Sequence, residues 1–255
     1  LGDPAGPVLP GLDHARLGVI YGAGHIPPEL DELGPAMAAS VAADGRVSLK
    51  QWGRDGIPLM FPLWLLKFLP NMLACHVGII WDCQGPSNSV TCNDASGLLA
   101  LGEAFRHIAR GTADIMLAGG SESKANPSVL IRQRLLGRAA VAHNDSPQEA
   151  HRPFDADRDG CVCAESAATL VLEAADLAAG AGRQSRIRLA GFGASCAATP
   201  PNVVELSGAA IARAMRFALC DAGLRPADID VVVAHGTAVP DQDIAEAWAV
   251  RGNQR

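Results

Sequence analysis

Gly85-Pro-Ser-Asn-Ser-Val-Thr-Cys-Asn-Asp-Ala-Ser-Gly97, continued through Leu98–Arg110 into Ala113-Asp-Ile-Met-Leu-Ala-Gly-Gly120, decides the fold. Its opening Gly-Pro-Ser is a turn, and Asn88 to Cys92 reads as a short strand. Ser96-Gly97 opens a helix, because the apolar residues Leu98, Leu99, Ala100, Phe105 and Ile108 over Ala95–Arg110 fit one. Ile115 to Ala118 is a continuous apolar run closed by two glycines, the mark of a buried strand. A strand, an amphipathic helix and a second strand in succession predict an α/β fold with a buried sheet.

The alternation extends outward. Upstream, Leu17 to Tyr21 reads as a strand ending in Gly22-Ala-Gly24, and Leu63 to Ile80 reads as a helix with His76 near its end. Downstream, Thr169–Leu172 and Ile187–Gly191 read as strands, and Ser207 to Ala222 as a helix stopped by Gly223. Strand Ile229–Ala234, the turn His235-Gly-Thr237 and a helix over Asp241–Val250 close the series. The polar stretch Gly137 to Gly160 is long for a plain connection and marks a functional or interface loop. No repeat and no linker is visible, so residues 1–255 read as a single domain.

Composition narrows the function. With 49 % hydrophobic and 19 % charged residues among 255, the chain has material for a large core and is not of the disordered class. A net charge of −6, with only three lysines, argues against nucleic acid as a partner. Seven scattered cysteines without metal spacing predict a reducing, cytoplasmic setting, with Cys161 and Cys163 as small core residues. The start, Leu-Gly-Asp-Pro, lacks the features of a signal peptide. Ile57 to Leu69 is too short and proline-broken to span a membrane.

Several motifs in one order carry a resemblance. Gly85-Pro-Ser, Ser96-Gly97 and Ala113–Glu122, followed by Arg152-Pro-Phe-Asp-Ala-Asp-Arg-Asp-Gly160, Leu170-Val-Leu-Glu173 and Ala234-His-Gly-Thr237 with Pro240, Asp243 and Glu246, resemble the β-ketoacyl synthases. The resemblance covers nearly all of this chain and the middle of a family member. It implies the thiolase-like layered α/β/α/β/α fold, mixed sheets covered by helices, incomplete relative to full-length members. It also implies acyl carrier protein as partner, with its phosphopantetheine arm as the substrate carrier and no further cofactor.

The departures shape the functional expectation. In the family's pattern the acyl-accepting cysteine stands three residues before the glycine of Ser-Gly, and here that place is Asp94. A cysteine at a helix start is acidified by the helix dipole and accepts an acyl group, with backbone N–H groups receiving the oxyanion. Acylating an aspartate from a thioester instead gives a mixed anhydride, which lies uphill. The ordinary role of Asp94 is to cap the helix it opens, worth about 1 kcal/mol. Cys92 is two residues from the acyl-acceptor place; a core-packing role is its ordinary reading, a reactive thiol the rival.

His235 matches the family histidine that helps decarboxylate a malonyl thioester, with Thr237, Asp243 and Glu246 in the same motif. The second catalytic histidine of family members, which follows later in their chains, has no match here. His76 reads as a satisfied core histidine. Glu165 is retained, but Ala164, Ser166 and Ala168 stand where family members carry glycines, so a rearranged or more loosely packed loop is expected there. The reading that follows is a subunit similar to a chain-length factor, without condensing activity, paired through the Asn88–Cys92 strand in a homodimer or with an active ketosynthase. Two alternatives stand beside it: an active 3-oxoacyl-[acyl-carrier-protein] synthase or malonyl-thioester decarboxylase, and a non-catalytic acyl- or carrier-binding module.

Overall fold

The computed structural model describes residues 11–24, 26–200 and 202–252. The chain divides into two compact units, one of residues 1–129 and 165–183, the other of 130–164 and 184–255.

The first unit is built on a four-stranded sheet in the order β2-β1-β3-β4. Strand β1 (Leu17–Gly22) lies between β2 (Ser87–Val90) and β3 (Ile115–Ser123), parallel to both, and β4 (Glu165–Glu173) runs antiparallel to β3. Strand alternation sorts β1 onto two faces. Ile20 points to one, where Met116 and Ala118 of β3 meet Ala100 and Ala104 of α4 (Ser96–Ala109). Val19 and Tyr21 point to the other, against Leu73, Ala74 and Val77 of α3 (Met72–Trp81). Ile20 and Met116 are fully buried, and each contributes about 1.5–3 kcal/mol through that burial. A mixed sheet with helices on both faces is the expected α/β class.

Two more helices precede these, α1 (Leu30–Ala39), which tolerates Pro35 in its interior, and the short α2 (Leu49–Gln51). The helix expected over Leu63–Ile80 is in fact two pieces, a 3-10 turn at Trp64–Phe68 and then α3. Pro70 is the cause: it lacks an N–H and forces Leu69 before it into an extended conformation (ψ 128°). On α3, His76 is exposed rather than a core histidine. Residues 165–173 form a regular strand, with Ala168 opposite Gly120 and Ser166 opposite Glu122. The glycine replacements therefore cause no rearrangement there, since none of them adopts a positive φ.

The chain passes through α5 (Pro127–Leu135) toward the second unit, and α6 (Ala175–Gly180) ends the last segment of the first. The second unit contains α7 (Ala209–Ala222) and α8 (Pro240–Gly252), which pack on each other. Gly223 ends α7 in the left-handed conformation at φ 68°, as its position predicts. The expected strands Ile187–Gly191 and Ile229–Ala234 join no sheet among the described residues. Apolar content marks them, yet a strand exists only where a neighbour accepts its ladder; Ile187 and Val233 stand 86 % and 93 % exposed. Cys161 and Cys163 are half-buried, and only Cys161 joins a bridge, to Ala139. No helix among the described residues is long and apolar enough to cross a membrane.

Candidate functional site

In open α/β sheets, reactive groups gather at the carboxyl ends of the parallel strands. Here that end is formed by Gly22, Val90 and Ser123, with α4 beginning directly above it. The missing side chain of Gly22 lets the helix come so close. A Cβ on Gly22 would lie 2.2 Å from the Ser96 carbonyl carbon, and one on Gly120, the register partner of Gly22, would lie 3.2 Å from Gly97 Cα, a tighter than usual contact.

The elbow between β2 and α4 is compact. β2 ends at Val90, so Cys92 lies beyond the strand, and it is exposed rather than packed in the core. Asn93 takes a positive φ of 50°, and Asn93–Ala95 form a 3-10 turn leading into α4. The buried Ser96 hydroxyl ties the turn together: it accepts from the Cys92 N–H at 2.7 Å and donates to the Asn93 carbonyl at 2.6 Å.

Asp94 sits on this turn, one-third exposed, and its carboxylate is ion-paired to Lys124 just past the end of β3. Glu122 flanks the same ammonium at 3.5 Å. Burial of Lys124 works against its charge; the hydrogen bond and charge of Asp94, helped by Glu122, outweigh it and hold its pKa above the usual lysine value. Asp94 thus does not cap α4 as expected: the N-cap is Ala95, without a side-chain bond, and the aspartate goes to the lysine instead. The charged partner wins because it lies at the same strand end and is itself half-withdrawn from water. Glu165, at the start of β4, accepts from the Ser123 hydroxyl at 2.8 Å at this end of the sheet.

The second unit holds the other candidates. Glu246 on α8 accepts from the backbone N–H groups of His235 and Gly236 at 2.7 and 2.9 Å. Asp243, 1 % exposed, accepts from Ala238 N–H at 3.1 Å and Phe154 N–H at 2.7 Å and faces Arg158 Nε at 3.3 Å. The Thr237 hydroxyl donates to Gln242 at 2.8 Å. Thr237, Asp243 and Glu246 therefore fix the backbone around His235, while His235 itself is exposed. The long polar loop is pinned onto itself as well: Asp159 accepts from both Val141 and Ala142 N–H at 2.7 Å. Among the described residues no cluster has the makings of a metal site.

Lys124, Glu122 and Ser96 were not legible as site residues. The available signal was the rarity of lysine, one of three, placed directly after a strand that ends in two glycines and a glutamate.

Comparison with known proteins supplies the context of this geometry. Residues 10–178 match the family model "Beta-ketoacyl synthase, N-terminal domain", and residues 187–253 match "Beta-ketoacyl synthase, C-terminal domain". A mitochondrial 3-oxoacyl-[acyl-carrier-protein] synthase of Arabidopsis thaliana is 37 % identical over 74 % of this chain and 41 % of that protein. The actinorhodin polyketide putative beta-ketoacyl synthase 1 of Streptomyces coelicolor is 33 % identical over 94 % of this chain and 50 % of its own length. The chain thus spans about half the length of the curated relatives it matches. Among solved structures, a ketosynthase in complex with its acyl-carrier protein, from a type II polyketide synthase, superposes with a TM-score of 0.79 at 26 % identity, covering 94 % of this chain and 57 % of that one. The ishigamide ketosynthase/chain length factor gives 0.71 at 25 % identity, covering 95 % and 56 %.

Proposed function

This chain belongs to the β-ketoacyl synthase family, and from that premise we propose that it serves fatty-acid or polyketide synthesis as a ketosynthase-like subunit without condensing activity of its own. The observation that carries the reading is Asp94 at the elbow, paired to Lys124 at the carboxyl end of the sheet. A carboxylate neutralised by an ammonium is a weak nucleophile, and its acyl product, an anhydride, lies above the thioester it would come from. The charge also disfavours a malonyl carboxylate entering the same space, through like-charge repulsion. His235, its backbone held by Glu246, is the group that any decarboxylation at this chain would use.

In this reading the protein acts like a chain-length factor, meeting an active ketosynthase through the outer edge of β2 and an acyl carrier protein through its phosphopantetheine arm. Its compartment is the reducing cytoplasm, in keeping with seven free cysteines. The test is incubation with acyl- and malonyl-loaded carrier protein, followed by intact mass and by release of carbon dioxide. No adduct and no carbon dioxide are expected. An acyl group recovered on any residue of the wild-type chain overturns the reading.

A further inference from the structure

Asn88 lies on the strand edge that this pairing uses, and its side chain closes that edge. In the β1–β2 register Val19 stands opposite Ser87 and Tyr21 opposite Ser89. The Val19 N–H donates to the Pro86 carbonyl and the Ala23 N–H to the Val90 carbonyl, both at 2.9 Å. A parallel ladder of this phase turns the peptide groups of Asn88 and Val90 toward β1 and those of Ser87 and Ser89 outward. The outward N–H of Ser89 is nevertheless occupied, because it donates to Asn88 Oδ1 at 2.8 Å. The other end of the same carboxamide donates through Nδ2 to both oxygens of Glu103 on α4, at 2.9 and 3.1 Å. This fork fixes which atom faces Ser89, since flipping the amide would set an oxygen against a carboxylate.

We propose that Asn88 is a specificity-determining residue of the β2 edge: it bars pairing with a second copy of this chain and leaves the edge to a ketosynthase-fold strand that carries no such latch. The inference rests on the β2-edge pairing proposed above. Two copies meeting across a two-fold axis must open two latches at the centre of the ladder, whereas an unlatched partner requires only one to open. A latched N–H must break a made hydrogen bond before it can enter the ladder, whereas an unlatched one gives up only water, so the second latch makes self-pairing the weaker choice and discrimination between partners follows from that difference.

The test compares wild type with Asn88→Val and Asn88→Ala by sedimentation equilibrium, with Ser89 amide hydrogen exchange read on dilute, monomeric samples. In both variants Ser89 exchange speeds up and self-association tightens at least tenfold over wild type. Glu103→Gln, which keeps the carboxamide but weakens its orientation, falls between. Folded variants that self-associate no better than wild type overturn the inference, as does a wild type that already pairs with itself as tightly as Asn88→Val. Failure of the pairing reading looks different: self-association responds to Asn88 as stated, but a co-expressed active ketosynthase is captured by neither protein.

Discussion

Glu246 holds the backbone of His235 rather than its imidazole: the carboxylate bridges the N–H groups of His235 and Gly236 from the second turn of α8. The arrangement fixes the loop and leaves the ring turned to solvent, so the two residues of the motif divide positioning from chemistry. Hydrogen bonds to a charged acceptor are worth about 1.5–3 kcal/mol, less when partly exposed. Glu246→Ala is expected to lower the unfolding free energy by about 1–3 kcal/mol. Glu246→Gln, which keeps an acceptor oxygen, should cost less. Urea unfolding of the three proteins checks the order.

Asp159 gives the acid limb of stability a local handle. The Val141 N–H, with Ala142 behind it, holds its carboxyl below the usual carboxylate range against the opposing effect of burial. A depressed pKa in the folded state stabilises the fold above the unfolded value of about 3.9 and is lost as pH falls through the lower folded value. Asp159→Asn is therefore expected to be less stable than wild type at pH 6, with the gap closing below about pH 3. A denaturation midpoint gap that stays constant from pH 6 to pH 2 would contradict this.

The elements that read clearly from sequence are those whose own residues decide them. The strands at Leu17–Tyr21 and Ile115–Ala118 and the helix from Ser96 are legible in their own residues, and Ile20, Met116, Ala118 and Ala100 do form one core, joined by Ala104, whereas Leu98 is exposed. Cys92 and His76 are exposed where core positions are expected, because residue type says nothing about which side of a turn or helix meets solvent. Ile187–Gly191 and Ile229–Ala234 have strand composition but no ladder among the described residues, since pairing belongs to the neighbour as much as to the segment. Asp94 was legible as a departure, but its partner was not. Lys124 lies 30 residues away and reaches Asp94 only because β2 and β3 both end beside β1, a relation that topology creates.

Cys83 provides a contrast in thiol chemistry. It packs behind Val19 and Tyr21, and burial, with the Asp82 charge adding, pushes its pKa up to about 11. At pH 8 only about one thousandth of it is thiolate, the form that reacts. Iodoacetamide followed by peptide mapping should leave Cys83 unmodified at pH 8 in the folded protein, long after the exposed Cys75, Cys92, Cys196 and Cys220 begin to react. Labelling of Cys83 at the pace of those four would mean that this side of the sheet opens readily.

The approach of α4 to the sheet is where stability and site geometry become one problem. A methyl on Gly22 would lie 2.2 Å from the Ser96 carbonyl carbon and 2.3 Å from the Gly97 nitrogen, both backbone atoms that no side-chain rotation can clear. The helix start would have to lift, carrying with it the turn that holds Asp94 near Lys124. Gly97 is the natural control, because a methyl there meets Gly120 Cα at 3.7 Å and Gly120 N at 3.9 Å, both in ordinary contact. Alanine also favours a helix over glycine by about 1 kcal/mol. Gly22→Ala is expected to destabilise by about 1–3 kcal/mol or more, as overpacking does, while Gly97→Ala is neutral or slightly stabilising. Thermal unfolding of the two single variants decides it: equal losses would mean that Gly22 and Gly97 share a general glycine requirement, and that the helix is not seated on β1 by the missing side chain of Gly22.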